Sequence, residues 1–304
     1  MKRFQIVGVG HSCVDAVCIV EDYPVEDSST HITSKMVYGG GAVATAMVAA
    51  ARLGSNCAFI GNLGNDSLSD DIIRMFKADG VNTDYLIKRD DCYGLESYVM
   101  VNPANGSRTK FPQRDSNPAI DWNPELEQVI RDSSILHIDG THYENAINAA
   151  RIAKENGVIL SLDGCSMQKD NEKNKALATM ADILIMNSKY PLRVSGKSTY
   201  DEALIEMSGW GQKKVVGCTL GQAGSKFVID GEVVSFQCFE AEKVVDTTGC
   251  GDVFHGAFLS AYVSGMGLVD CIRFASAAAS RKCAKHGGRA GIPDRETVLD
   301  MIGE

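Results

Sequence analysis

The chain has 304 residues, 44% hydrophobic and 23% charged, enough for one large α/β domain with a sizeable core. A net charge of −9 excludes the broad basic surface that nucleic acid or an anionic membrane selects, while leaving room for one local anion site. No apolar run approaches the ~20 residues of a bilayer span, and residues 4–10 are too short for a secretory leader.

In chain order, the first element is a short apolar strand at 5–9, followed by Gly10-His-Ser-Cys-Val-Asp15 with its acid at a strand end. Residues 16–38 lack helical periodicity. Tyr38-Gly-Gly-Gly41-Ala-Val-Ala-Thr45 then leads into a helix at 43–53, and glycines ahead of a helix let a ligand approach the backbone closely. A strand at 57–60 and a helix at 68–78 precede a second irregular stretch, 92–113. It holds Glu96-Ser-Tyr-Val-Met-Val101 and an Asn105-Gly106 hairpin signal. Residues 16–38 and 92–113 are expected to form a small β-sheet inserted into the single domain, 1–304, as a lid.

Strands at 135–138, 158–162, 182–186 and 215–218 alternate with helices at 144–156 and 201–207, and alanine-rich helices at 250–264 and 268–285 close the chain. Short apolar runs between helices are strands buried on both faces of a parallel sheet. The fold expected is an open α/β sheet with helices on both sides. Ligands bind such sheets at the carboxyl ends of the strands, where Asp139, Asp163, Asn187 and Thr219-Leu-Gly221 fall. The ten cysteines contain no Cys-x-x-Cys pair. They read as small hydrophobes in a reduced, cytoplasmic protein, without a zinc site.

The chemistry concentrates in Val244-Val-Asp246-Thr-Thr-Gly-Cys-Gly-Asp252-Val-Phe-His-Gly256. Gly249, Cys250 and Gly251 open a helix whose free N–H groups and dipole converge on an anion. Asp252 on the first turn stands beside that pocket. A carboxylate there repels phosphate unless it accepts a proton from a hydroxyl attacking a phosphoryl group. A plain capping role for Asp252 leaves the two glycines, poor helix formers, unexplained.

These residues resemble the ribokinase/PfkB family of carbohydrate kinases, whose signature is Asp-Thr-x-Gly-Ala-Gly-Asp; Cys250 stands in place of the usual Ala. The likeness continues through the Tyr38–Gly41 glycines, Gly61-Asn-Leu-Gly-Asn-Asp66, Thr219-Leu-Gly-Gln-Ala-Gly224 and Gly287-Gly-Arg-Ala-Gly-Ile-Pro293, nearly the whole chain. It implies a ribokinase-like, mostly parallel sheet and ATP with Mg2+ as phosphoryl donor; the exposed apolar face of a small sheet leads to the separate expectation of a homodimer through the lid, unless the lid folds back on its own domain. By resemblance Asp252 is the base and the backbone of Gly249, Cys250 and Gly251 the anion hole. Asp15, Gly40, Gly41, Thr45 and Asp252 meet the sugar. Asn187, Thr219, Gly221, Gly224, Gly249, Gly251 and Cys283 lie along the nucleotide. The carbonyls of Asp246 and Thr248 border a monovalent-cation site, such as one for K+.

Two further departures stand out. Thr45 replaces a usual Asn, and Asn187-Ser-Lys-Tyr190 lacks the Glu of the family's Asn-x-x-Glu, which leaves Mg2+ without an assigned protein ligand. That loss and the Arg281-Lys-Cys-Ala-Lys tail look closer to the ketohexokinase and sulfofructose kinase branches. A sulfonate would want basic residues where the lid has Ser28-Ser29-Thr30; Arg108, Lys110 and Arg114 can face either the sugar or solvent, and solvent is the default for each. The expected reaction is transfer of the γ-phosphoryl of ATP to a terminal hydroxymethyl, with a fructose-like ketohexose favoured over a pentose, sulfosugar, sugar acid or nucleoside. A dinucleotide-binding oxidoreductase shares the α/β rhythm, but Cys13 occupies the third glycine of its turn. A non-catalytic sugar-binding relative would not need Asp252.

Overall fold

The computed structural model describes residues 2–102, 108–115, 117–241 and 243–303. β1 (Phe4–Val9) turns directly into β2 (Cys13–Val20) and β3 (Ile32–Gly40), and Gly41 opens α1 (Ala42–Arg52). Next come β4 (Cys57–Gly64), α2 (Ser67–Ala78), β5 (Leu86–Arg89), β6 (Glu96–Val101) and β7 (Arg108–Pro112). Helix and strand then alternate through α3 (Pro124–Arg131), β8 (Ser133–Asp139), α4 (Tyr143–Glu155), β9 (Ile159–Gly164), α5 (Asn171–Met180) and β10 (Ile183–Asn187). After α6 (Tyr190–Ser195), α7 (Tyr200–Ser208) and β11 (Val215–Thr219), a hairpin of β12 (Ser225–Ile229) and β13 (Glu232–Phe236) leads to α8 (Cys250–Val263), α9 (Leu268–Lys282) and α10 (Arg295–Ile302).

Nine strands form one sheet in the order β13-β12-β11-β10-β9-β8-β1-β4-β5. Pairing is parallel from β11 across to β5, and the β12–β13 hairpin adds two antiparallel strands at one edge. Ile6 and Phe59 face a layer built from α1, α2, α8, α9 and α10; Val7 and Leu136 face a layer built from α3 to α7. Burial on both faces makes these strands unbroken apolar runs in the sequence. In the first layer α1 and α8 approach with almost nothing between them: a Cβ on Gly256 would lie 2.2 Å from Ala46 O.

The second sheet has the order β3-β2-β6-β7, with β2 and β6 parallel and the outer pairs antiparallel. It starts at Cys13 rather than 16, because the apolar run Cys-Val-Asp-Ala-Val-Cys-Ile-Val is continuous. Asp15 therefore sits inside β2, opposite Tyr38 and Ser97, rather than at a strand end. The Asn105-Gly106 signal lies outside the described residues; β6 and β7 pair antiparallel, with Val101 opposite Arg108.

Elements absent from the sequence expectations are β5, the β12–β13 hairpin and α3, α5, α6 and α10. Most of these helices carry caps: Asn123 with Pro124 behind it, Asp170 and Asp294 each accept a first-turn N–H. The last alanine-rich helix, expected to reach 285, stops at Lys282 because Cys283 O turns away to accept from Val245 N (2.8 Å) and Asp246 N (3.1 Å).

Candidate active site

Gly249 caps α8 in the left-handed region, φ 76°, and a Cβ there would strike Gly288 Cα at 2.8 Å. A Cβ on Gly251 would meet nothing within 4 Å, so open space lies over the helix start. Val253 N makes the first bond back, 2.8 Å to Gly249 O, and the N–H groups ahead of it have no intrahelical acceptor. Cys250 N donates to Thr247 O at 3.4 Å, so Gly251 N and Asp252 N, without an intrahelical acceptor, stand at the open, positive end of this 14-residue helix.

Asp252 stands on the first turn of α8, and its pKa is pushed up to about 7 by burial and by the like charge of Asp163, with Asp139 adding to the effect. His255 and Lys110 pull it partly back. A carboxyl near neutrality is matched to general-base work. Beneath it, buried Asp163 bonds His255 Nε2 at 3.2 Å. Burial is the largest single effect on Asp163 and works against its charge, but His255, His137 and Cys165 together hold the carboxyl low. His137, fully buried against His255 and 3.0 Å from Ser161 Oγ, is driven down to about 3 and is neutral. Asp139, beside Asp163 on β8, is raised to about 6 by burial. Its Oδ1 accepts from Thr141 N, and its Oδ2 has no hydrogen-bond partner among the described residues.

The three glycines ahead of α1 have separate causes. A Cβ on Gly39 would lie 2.2 Å from the Arg289 guanidinium, one on Gly40 2.5 Å from Asp15 Oδ2, and one on Gly41 (φ 94°) 2.2 Å from His11 O. Arg289 is buried, donates to Gly40 O at 2.8 Å and reaches Thr45 Oγ1 at 3.4 Å. It therefore locks Gly40 and Thr45 behind Asp15. Sequence reasoning quoted Arg289 in a motif without giving it work; only the fold brings residues 40 and 289 together. Burial raises the Asp15 pKa, opposed by Lys110 and Arg289.

Lys110, assigned to solvent from the sequence, is exposed but lies on the inner face of the second sheet. It pairs with Val99, Val99 pairs with Val17, and Asp15 is two residues from Val17 on the same face. Its charge acts on both Asp15 and Asp252. Arg114 is exposed, and Arg108 lies on β7.

At the carboxyl edge of the main sheet, Asn187 pairs with Thr219. The Asn187 amide is engaged in its own turn, accepting from Lys189 N and Tyr190 N and donating to Cys165 O. Tyr190, where a carboxylate is usual, is buried and donates to Asn174 O at 3.1 Å. Gly221 opens a short turn after β11, and Gly224 (φ 85°) lies so near Phe236 O that a Cβ would sit at 1.9 Å. Cys283 Sγ is 3.2 Å from Cys250 Sγ, tying the end of α9 to the anion pocket. Asp246 accepts from Thr248 N (2.7 Å) and Gly287 N (2.8 Å), bonds that keep its carboxyl low in spite of burial.

One cluster was invisible in sequence: Asp115, just after β7, bonds His142 and lies 4.0 Å from His11 Nδ1. The three residues come from positions 27 or more apart, and only the sheet ends unite them. A separate surface groove, lined by Tyr143, Arg151, Glu172 and Trp210, contains none of the residues above.

A carboxyl near neutrality on the first turn of a glycine-opened helix, with a second carboxyl on a small sheet, suits phosphotransfer to a hydroxyl. The pfkB family carbohydrate kinase model matches residues 3–295, and the chain belongs to that family. It is 29% identical over 309 residues to a bifunctional ribokinase/ribose-5-phosphate isomerase A of Fructilactobacillus sanfranciscensis, covering 99% of this chain but only 56% of that longer protein. A 5-dehydro-2-deoxygluconokinase of Clostridium perfringens is 25% identical, with 99% of this chain and 93% of the relative covered. The structure of Arabidopsis thaliana ribokinase complexed with ribose and ATP superposes with a TM-score of 0.86 at 27% identity over 99% of each chain.

Proposed function

We propose that the chain transfers the γ-phosphoryl group of ATP, entering as MgATP, to a terminal hydroxymethyl of a small carbohydrate. The observation that carries this reading is the Asp252 carboxyl, poised near pH 7 beside the open pocket over Gly251. Asp252 takes the proton of the attacking hydroxyl, and the first-turn N–H groups of α8 hold the moving phosphoryl oxygens. Asp15, Gly40, Gly41 and Thr45 hold the sugar; Thr219, Gly221, Gly224, Asn187 and Cys283 border the nucleotide. Tyr190 supplies no carboxylate, so Mg2+ is carried by the phosphates rather than by that turn. Ten free cysteines suit a reducing, cytoplasmic setting, and among the described residues no helix is long and apolar enough to cross a membrane.

A fructose-like ketohexose is the first acceptor proposed, with a pentose, sulfosugar or nucleoside behind it. A sugar acid has support of its own, since Lys110 offers a cation on the sugar-facing side of the sheet. An ADP-release screen of ketohexoses, pentoses, sugar acids and nucleosides tests the proposal. Turnover is expected with one class at least tenfold above the rest, a difference of about 1.4 kcal/mol. No sugar-dependent ADP release from any class would overturn it.

The second sheet, with the expected insertions 16–38 and 92–113, serves in this proposal as a lid, because transfer in open water would lose the phosphoryl group to hydrolysis. Its outer face carries one apolar row across all four strands, Val37, Ala16, Tyr98 and Phe111, in which Val37, Tyr98 and Phe111 are 50%, 40% and 54% exposed. A second copy covering that row makes a homodimer. Hydrogen exchange is expected to slow in β2, β3, β6 and β7 on adding the verified sugar; unchanged exchange there at saturation removes the lid. Sedimentation is expected to give a dimer that Phe111→Glu dissociates, and a wild-type monomer removes the dimer alone.

A further inference from the structure

The Asp246 carbonyl, which the family resemblance places with that of Thr248 at a monovalent-cation site, does not fit a free-ion ligand in this chain. Lys282, the last residue of α9, is fully buried, and its Nζ donates to Asp246 O at 2.8 Å. Its neighbours enclose it. Gly287 N donates to Asp246 Oδ2, and a Cβ on Gly291 would strike Lys282 O at 2.2 Å, so only glycine lets the 287–292 loop close over the lysine. We infer that the Lys282 ammonium is a built-in substitute for the monovalent cation, holding the Asp246–Gly249 turn against the start of α8.

The physical equivalence is direct. A carbonyl oxygen that coordinates an alkali ion meets a positive charge of one unit, and an ammonium hydrogen-bonded to the same oxygen supplies that charge covalently tethered. A buried ammonium needs such partners to be tolerated. The position matters because Thr248 and Gly249 lead into the start of α8, and the Asp246 carboxylate ties this turn to the 287–292 loop through Thr248 N and Gly287 N. Lys282 touches no reacting atom; it is a positioning residue acting through the Asp246 carbonyl. The inference rests on the kinase reading only for its activity readout.

The test is a cation series on the full chain at constant ionic strength, in potassium, sodium or tetramethylammonium chloride. For the wild type, turnover on the verified sugar, affinity for a non-hydrolysable ATP analogue and melting temperature are expected to be the same in all three, within about twofold for the first two. Lys282→Met is expected to lose roughly tenfold in turnover and analogue affinity in tetramethylammonium, because the pocket donors are displaced. Potassium or ammonium chloride restores both to that variant and raises its melting temperature. A saturable activation or thermal stabilisation of the wild type by potassium overturns the inference, whether or not the variant folds. So does a Lys282→Met protein with undiminished analogue affinity in tetramethylammonium. Melting and analogue binding need no sugar, so failure to find an acceptor leaves this test intact.

Discussion

Asp252→Asn is expected to cut turnover by ~10²–10⁴, the ordinary worth of a general base, while ATP-analogue affinity is retained. Asn keeps the shape and cannot take the proton. A second signature follows from the raised pKa. From the ordinary value of 3.8 up to about 7, the folded chain keeps a proton on Asp252 that the unfolded chain has released. Stability tied to this group is therefore full below about pH 4 and falls as pH rises through about 7, where the buried charge becomes a standing cost. Asparagine removes that cost, so the variant is expected to melt at a higher temperature than the wild type at pH 8, with the gain shrinking toward pH 4. Wild-type turnover should rise with pH along a limb centred near 7. Wild-type-like turnover in the variant removes Asp252 from the mechanism, and loss of activity together with a lower melting temperature points to disturbed packing instead.

Asp15→Ala is expected to weaken sugar binding by about 10–100-fold, since hydrogen bonds to a charged group contribute roughly 1.5–3 kcal/mol each. Asp15 lies in the middle strand of the small sheet, packed behind Gly40, where a methyl group on the glycine would already touch its carboxylate. Removing it also leaves the buried Arg289 short of a nearby countercharge. The nucleotide site proposed above lies at the carboxyl ends of β10 and β11 and at α8, away from Asp15, so titration with the analogue should show wild-type affinity. Parallel losses for sugar and nucleotide would identify Asp15 as a structural residue rather than a sugar ligand.

Much of the fold was legible because two-sided burial writes each central strand as an apolar run, and alanine-rich stretches mark α8 and α9. The helix start that carries Asp252 was legible for a local reason: Gly249, Gly251 and Asp252 are neighbours in sequence. What was not legible depends on distance along the chain. Arg289 lies behind Gly39 and Gly40 only after the chain has folded, and Lys110 turns inward because of strand register, which a run of exposed-looking residues does not reveal. The same holds for His11, Asp115 and His142. The edge hairpin β12–β13 was missed because strands at a sheet edge are half polar, as the pattern Glu-Val-Val-Ser-Phe shows.

The close approach of α1 and α8 has a bearing on how such a chain can change its acceptor. The glycines proposed to receive the sugar open one of these helices, and those proposed to receive the phosphoryl group open the other. Gly256 brings the two backbones together at Ala46, with nothing larger than the Ala49 methyl beside the contact. In the proposed reaction the helix pair would work as a calliper, setting the gap between hydroxyl and phosphorus independently of which sugar is held. Loops and lid strands can drift toward new acceptors without resetting that gap. One added methyl at Gly256 would reset it for all of them.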